Sequence, residues 1–513
     1  MSGTRLGHRT RVHGLLTGIA LLGALAASGC APAGAADTCS GSYPSYFQDP
    51  AFSAMGMWND QVVINRPAPG WQGPVFRLSD RYRTGSVEKA QPWQAFDPFA
   101  KGLSQDQKRE QAQGYIDAVI AYIWEGNIDS GDVATDWQLC DNPIRPWFHI
   151  PYQTYDPMSG REFVHGLTRE APVTMTLEER FALRTTIWAV GFYNPAAGKS
   201  LGTVWTGAPD PRMPASNFAF ADGSVIGKLL FTTATPDQLP FLRNMPSWQA
   251  NISAPEFCSC APSNAGSTCT YQEQTEQCPR TVGTVSLIQF DIAVRDARSP
   301  IGWAYGTFVA DGVRKAGERN PWKRISALGL IWGNDTPPVG QAAAAYPVDP
   351  RAKGFEEGVI FWDVVDMLDE RTNAGHLGCD SRLNGPADNA KSSCLSCHQT
   401  ASVPDQGNKT PAILFQFSGL DSGSGQCMPQ PTPKDLEIDQ VYFQTLACST
   451  SFSGPPAIVP PPSYASGAKQ WISTDFSLQL SISLTQWQEW QQDRQAQNQH
   501  KDDQRFDGVL PGR

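Results

Sequence analysis

Phe220-Ala221-Asp222-Gly223-Ser224-Val225-Ile226-Gly227-Lys228-Leu229 reads as a turn feeding a β-strand. Asp222-Gly223 marks the turn, and the run from Ser224 to Thr233 is aliphatic, β-branched and aromatic, with one lysine, Lys228. Runs of the same kind recur at Ser200 to Trp205, Val285 to Val294, Trp303 to Val309 and Ile325 to Trp332, separated by Pro, Gly and Asn/Asp turns. The 46 Gly and 41 Pro punctuate many short segments, which suits a β-rich chain with long loops.

Helical signals are fewer. Tyr115, Ile116, Val119, Ile120, Ile123 and Trp124 recur at helical spacing, so a helix is expected over Ser104 to Glu125. Ser104 and Gln107 form a capping-box pattern, and Gly126 supplies a stop. Thr176 and Glu179 offer a second capping box, opening a short helix into a β-like run from Thr185 to Tyr193. Val359 to Leu368 is expected to be helical, as is the Gln-rich tail from Gln486.

The chain has 513 residues, and its 16 Trp and 24 Phe supply large buried anchors. A net charge of −10 with no basic block argues against nucleic acid as a partner. Near the N-terminus, Arg5, Arg9 and Arg11 precede an apolar stretch from Leu15 to Ala27, too short to span a bilayer. It closes on Ala27-Ser28-Gly29-Cys30, which resembles a bacterial lipobox and would leave Cys30 lipidated. Ordinary cleavage near Ala33-Gly34-Ala35 is the alternative. The expected location is the periplasm or cell envelope, with membrane association through a lipid anchor only.

Late in the chain stands Cys394-Leu395-Ser396-Cys397-His398, the C-x-x-C-H spacing by which one haem c is covalently attached. Two thiols add to the porphyrin vinyl groups, and the following histidine becomes an axial iron ligand. A Cys3His zinc site from Cys379, Cys394, Cys397 and His398 is the competing metal reading. Of the 12 cysteines, those not used for lipid or haem are expected to pair in an oxidising compartment. Cys258, Cys260, Cys269 and Cys278 share one loop; Cys427 with Cys448 and Cys39 with Cys140 are further expected pairs, leaving Cys379.

Three stretches in order resemble the cytochrome P-460 family and its relatives, the β-sheet cytochromes c-prime. They are the Asp222-Gly223 turn with its strand, Asp291 to Asp296 leading into Trp303-Ala304-Tyr305-Gly306-Thr307-Phe308, and the Cys394 to His398 motif followed by Ala412-Ile413-Leu414-Phe415. The resemblance implies an antiparallel sheet packed on a covalently attached haem, with histidine on one side of the iron and an open or weakly occupied site on the other. It implies that Lys228 matches a lysine that cross-links the porphyrin in oxidising members. Tyr305 and Phe308 are expected to pack, and at most to line the haem face. Gly227 departs from the family's β-branched residue, and about 85 residues lie between the Trp303 strand and Cys394, including Arg382-Leu383-Asn384-Gly385. That insertion could reshape or close the distal pocket. The layout as a whole, with its Trp-Gly-Asn and Arg-Leu-Asn-Gly runs, is similar to that of large monohaem cytochrome c family proteins of bacteria.

The expected class is therefore α+β and β-rich, with an additional N-terminal α/β region and long disulfide-bridged loops. Residues 1–29 are a signal peptide, 30–55 a tether and 56–199 an N-terminal region containing helix 104–125. Residues 200–452 form the β-rich haem domain, 453–463 a Pro-rich spacer and 464–513 a C-terminal extension. His398 is the expected proximal ligand. Distal candidates are His149, His165, His376, Met367 and Met428; His149 also reads as a core histidine, His376 as an exposed loop residue. The leading expectation is redox or electron transfer with a partner protein. One alternative is a five-coordinate haem that binds or oxidises a small nitrogen oxide (hydroxylamine or nitric oxide) or peroxide, and another is a lipid-anchored binding protein with structural haem. No catalytic acid–base pair is expected from the sequence.

Overall fold

The computed structural model describes residues 76, 79–82, 91–152, 168–169, 173–177, 181–185, 187–252, 281–335, 351, 355–372, 376–378, 381–388, 393–398, 401–404, 471–488 and 491, apart from 134, 207–209, 216 and 334. The expected signal segment, Cys30, the tether and the Pro-rich spacer lie outside those residues, as do all the expected disulfide partners except Cys140. Cys140 is disulfide-bonded.

Helix α1, Gln105–Trp124, forms as expected: the Ser104 side chain accepts from Gln107 N while the Gln107 side chain accepts from Ser104 N. Gly126 follows at φ +75°, where glycine ends a helix at little cost. Strand β1 is Thr168–Arg169, β2 Val173–Leu177, β3 Phe181–Thr185 and β4 Ile187–Tyr193. β2 and β3 form a hairpin, with Leu177 paired to Phe181. No helix therefore opens at Thr176: the alternating Val173-Thr174-Met175-Thr176-Leu177 run outweighs the local capping pattern.

Helix α2, Pro195–Val204, replaces the strand expected from Ser200. Asn194 caps it by accepting from Ala197 N, and Pro195 sits in the first turn, where its missing N–H costs nothing. The remaining strands are β5 Val225–Thr232, β6 Ser247–Ile252, β7 Thr281–Arg295, β8 Trp303–Ala310, β9 Ile325–Ile331 and β10 Gly358–Ile360. Val359 belongs to β10, so the expected helix starts three residues later as α3, Trp362–Thr372. The haem-type motif is itself one helical turn, α4, Cys394–His398. β11, Ser402–Pro404, pairs with β12, Trp471–Ser473, and residues 478–488 are helical.

Eight strands form one sheet in the order β1-β4-β5-β7-β8-β9-β10, with β6 also paired to β7, and every pairing is antiparallel. β4 pairs with β5 along its whole length, so the sheet crosses the domain boundary expected at residue 200. The fold is α+β and sheet-rich.

Alternation on β8 sorts two cores onto opposite faces. Ala304, Phe308 and Ala310 join Phe290, Ile292, Phe192 and the apolar side of α1. Trp303, Tyr305 and Val309 join α2, Leu395 of α4, and Ile472, Phe476, Leu480 and Leu484 from the C-terminal segment. The described part of the expected C-terminal extension thus covers the face that carries the motif. Gly227 faces the α1 side, where a Cβ would lie 2.4 Å from the Phe192 ring. That close ring explains why no β-branched residue stands before Lys228.

Candidate functional site

The α4 turn is tied down at both ends. Cys394 N donates to Leu383 O at 3.1 Å, Ala401 N to His398 O at 3.2 Å, and Thr474 N to Ala401 O at 3.0 Å. Leu395 is buried in the second core between these ties. The Cys394 thiol is partly buried, is not in a disulfide and lies 3.8 Å from Thr307 Oγ1. Thr307 donates its own proton to Asp291 Oδ1 at 2.9 Å, so its oxygen accepts from the thiol. The Cys397 and Ser396 side chains lie outside the described ones.

His398 packs its ring 4.7 Å from that of Tyr305, at 44°. Its Nδ1 is 2.9 Å from Phe476 O, and the Tyr305 hydroxyl donates to the same carbonyl at 3.3 Å. A carbonyl only accepts, so Nδ1 carries the proton and Nε2 keeps its lone pair. Burial first, and then the charge of Lys228, push His398 down to about 4, against the Phe476 bond that favours the cation. At neutral pH the ring is therefore an uncharged base.

The carbonyl is presented by a turn in which Asp475 and Phe476 both have positive φ, 50° and 62°. Phe220 N donates to Asp475 Oδ2 at 2.7 Å, Asp475 N donates to Ser473 Oγ at 3.0 Å, and Arg295 Nε lies 3.4 Å from Asp475 Oδ2. Such backbone costs about 1–3 kcal/mol per residue and persists only where the surroundings over-determine it.

Beside the motif runs a polar row across the sheet. Gly191, Lys228, Asp291, Thr307 and Gly329 are successive cross-strand partners on β4, β5, β7, β8 and β9. Gln289, two residues before Asp291 and on the same face, is fully buried and donates through Nε2 to both Asp291 oxygens at 2.9 Å. The same nitrogen reaches Asp388 Oδ2 at 2.5 Å, while Gln289 Oε1 accepts from Ala387 N at 3.0 Å. The Arg382-Leu383-Asn384-Gly385 stretch leads into Asp388, and a Cβ on Gly385 would stand 1.9 Å from Gln289 Oε1. Burial, and then the Asp388 charge, push Asp291 up to about 8, against the pull of Lys228 and of the Gln289 and Thr307 bonds.

Cys394, His398, Lys228 and Tyr305, all picked out from sequence, thus share one face of the sheet. Phe308 does not: as the residue next to Thr307 on β8 it points the other way and packs near Phe290, 6.4 Å between ring centres. His149 is buried, as expected of a core histidine; its N–H donates to Ser79 O and its carbonyl accepts from Tyr82, both at 2.8 Å. His376 is fully buried, not an exposed loop residue, and its ring is 5.5 Å from that of Phe241. Met367 packs partly buried on the second core. His165 and Met428 lie outside the described residues.

Gln289, Asp291, Thr307, Asp388 and Phe476 were not singled out as site residues from sequence. Gln289 and Asp291 carried a usable signal, two polar residues spaced by two in the otherwise apolar run from Leu287 to Val294 of β7. Among the described residues no group of three or more His, Cys, Asp or Glu side chains is arranged to hold a metal ion, and no helix is long and apolar enough to cross a membrane. The Cys379 and Cys397 side chains of the zinc alternative lie outside those described. No family model matches the chain, and no curated protein or solved structure is significantly similar to it.

Proposed function

We propose that this chain is an exported, lipid-anchored c-type cytochrome with one covalent haem, and that it transfers electrons to or from a partner protein. Cys394 and Cys397 would carry the thioether links, and His398 would ligate iron through Nε2. The observation that carries the proposal is the His398 Nδ1 bond to Phe476 O, which leaves Nε2 as the only lone pair of the ring. Metal-bound histidines characteristically donate their second nitrogen to a carbonyl or carboxylate, which fixes the tautomer and the ring plane. The donor set fits the group in two further respects: the Cys394 thiol is not in a disulfide, and His398 is neutral at physiological pH.

Bound haem would supply one-electron redox chemistry and an iron coordination site. The chain's own contribution is to orient His398 between Tyr305 and Phe476 and to keep its imidazole uncharged. The apolar residues of the second core would exclude water, which together with the ligand would tune the potential of a bound haem.

A second reading, a five-coordinate haem that binds or oxidises hydroxylamine, nitric oxide or peroxide, is favoured by one feature. Lys228 stands on the same face as Cys394 and acts electrostatically on both His398 and Asp291, so a cation and a protonatable carboxyl adjoin the motif.

One absorption series on purified full-length protein separates these. The pyridine complex should show two thioether links, and Cys394→Ser with Cys397→Ser should abolish covalent haem. An electron carrier should be low-spin and indifferent to carbon monoxide at neutral pH. High-spin iron with prompt ligand binding would favour the second reading, and a haem that no biological reductant cycles would indicate a structural role. Protein matured in a host competent for c-type haem attachment, yet lacking haem, would overturn the cytochrome assignment.

A further inference from the structure

Two carboxyl groups converge on one amide in the polar row. The orientation of that amide is not free: Ala387 N donates to Gln289 Oε1, so Nε2 is the donor end. Nε2 has two hydrogens and faces three carboxyl oxygens, two on Asp291 and one on Asp388. Two carboxylates this close on a protein-covered sheet face repel strongly if both are ionised, and such pairs titrate as a unit with one proton held in common.

The surrounding charges agree. β5 contributes Lys228, the loop after Arg382 contributes Asp388, and β8 contributes only the Thr307 hydroxyl. α4 contributes Cys394 beyond Thr307, and His398, which feels the Lys228 charge. With one shared proton the carboxyl pair carries a single negative charge, on which the positive charge of Lys228 acts. With none it carries an excess negative charge in surroundings that solvate it poorly.

The geometry points to a proton-loading site: the Asp291–Asp388 pair, clamped by Gln289, binds a proton when the haem proposed above is reduced and releases it on oxidation, and the Lys228 charge acts on both Asp291 and His398. An external one-electron donor, such as a reduced partner cytochrome or dithionite, supplies the electron that takes ferric iron to ferrous. Solvent supplies the proton, which forms one O–H bond on the carboxyl pair. No other bond forms or breaks, and reoxidation reverses both transfers. An added electron raises the proton affinity of a nearby acid, so the potential must fall as pH rises past the point where the oxidised form loses its proton. Burial and the Asp388 charge already hold Asp291 up to about 8, which sets the exchange at mildly alkaline pH.

Potentiometry of the full-length haem-loaded protein from about pH 6 to about pH 10 tests this. The reduced form is expected to bind the proton at least tenfold more tightly, equivalent to a fall in potential of about 59 mV across the range. Asp291→Asn should abolish the fall, and Asp388→Asn should move it to lower pH or abolish it. Infrared difference spectra should show a protonated carboxyl band in the wild type at neutral pH that Asp291→Asn removes. A wild-type potential independent of pH overturns the coupling, and so does a slope that survives in Asp291→Asn. Absence of the band overturns the shared proton. If the pyridine complex shows no haem, the cofactor assignment and the coupling fail together, and the carboxyl band of the haem-free protein still decides the shared proton separately.

Discussion

His398 and Phe476, 78 residues apart in sequence, meet at 2.9 Å through the ring Nδ1 and a backbone carbonyl. The carbonyl faces the ring because Asp475 and Phe476 both adopt left-handed backbone, and Asp475 is what fixes that turn. Its carboxyl is fully buried and faces Arg295 and the Phe220 amide.

Asp475→Ala should therefore be severe. It removes one member of a largely buried ion pair and leaves Arg295 uncompensated, a loss of about 3–5 kcal/mol. Denaturant unfolding should read that loss, with a smaller one in Asp475→Asn, which keeps an acceptor for Phe220 N.

Tyr305 offers a graded test of the contact under His398. Tyr305→Phe keeps the ring and forfeits the hydroxyl bond to Phe476, a cost of about 0.5–1.5 kcal/mol. Tyr305→Ala opens a cavity beside the imidazole and should cost about 3–5 kcal/mol. Equal losses in the two variants would show that the hydroxyl, not the ring, does the supporting.

Gly227 is required by its neighbour. A methyl there would press on the Phe192 ring, so Gly227→Ala should destabilise by about 1–3 kcal/mol. Adding Phe192→Leu should recover part of that loss in a double-mutant cycle, and strict additivity would refute the steric explanation.

Acid stability should depend on Asp296. Burial is the largest single influence and pushes its carboxyl up, but Arg298, bonded at 3.0 and 2.7 Å, and Tyr115 at 3.1 Å outweigh it and hold the group below its ordinary value of 3.8. A depressed carboxyl stabilises the fold above its unfolded pKa and loses that contribution as pH falls through the folded one. Asp296→Asn should be less stable than the wild type at neutral pH by about 2–3 kcal/mol, with the gap closing as pH drops below 3.8. Thermal melts across that range would detect a gap that stays constant, the contrary outcome.

The central strands were legible because their alternation and turn residues are local signals: β5, β7, β8 and β9 stand within a few residues of the expected runs. α2 was misread because Ser200 to Trp205 has strand-like composition, while the decisive Asn194 cap lies before it. Lys228 and Tyr305 share the face of the motif, while Phe308 packs in the core of the opposite face, which fits its expected packing role; strand parity, not composition, decides which face. Asp388 and Phe476 could not be found in this way. Their place at the site is set by the loop after Arg382 and by a turn reached through β12, and neither carries a sequence pattern of its own.

The pairing of β11 with β12 brings the latter to α4 from beyond residues 405–470. A chain delivered from its N-terminus therefore has all eight sheet strands and the Cys394, Cys397 and His398 side chains available before residue 476 has emerged. The last segment covers the α4 face and, being last in the chain, is the last part of that face to become available. Waiting is inexpensive, because the entropy of closing a loop grows only slowly with its length. Assembly order is thus written into the chain order: the sheet face that carries α4 is the one whose cover is translated last.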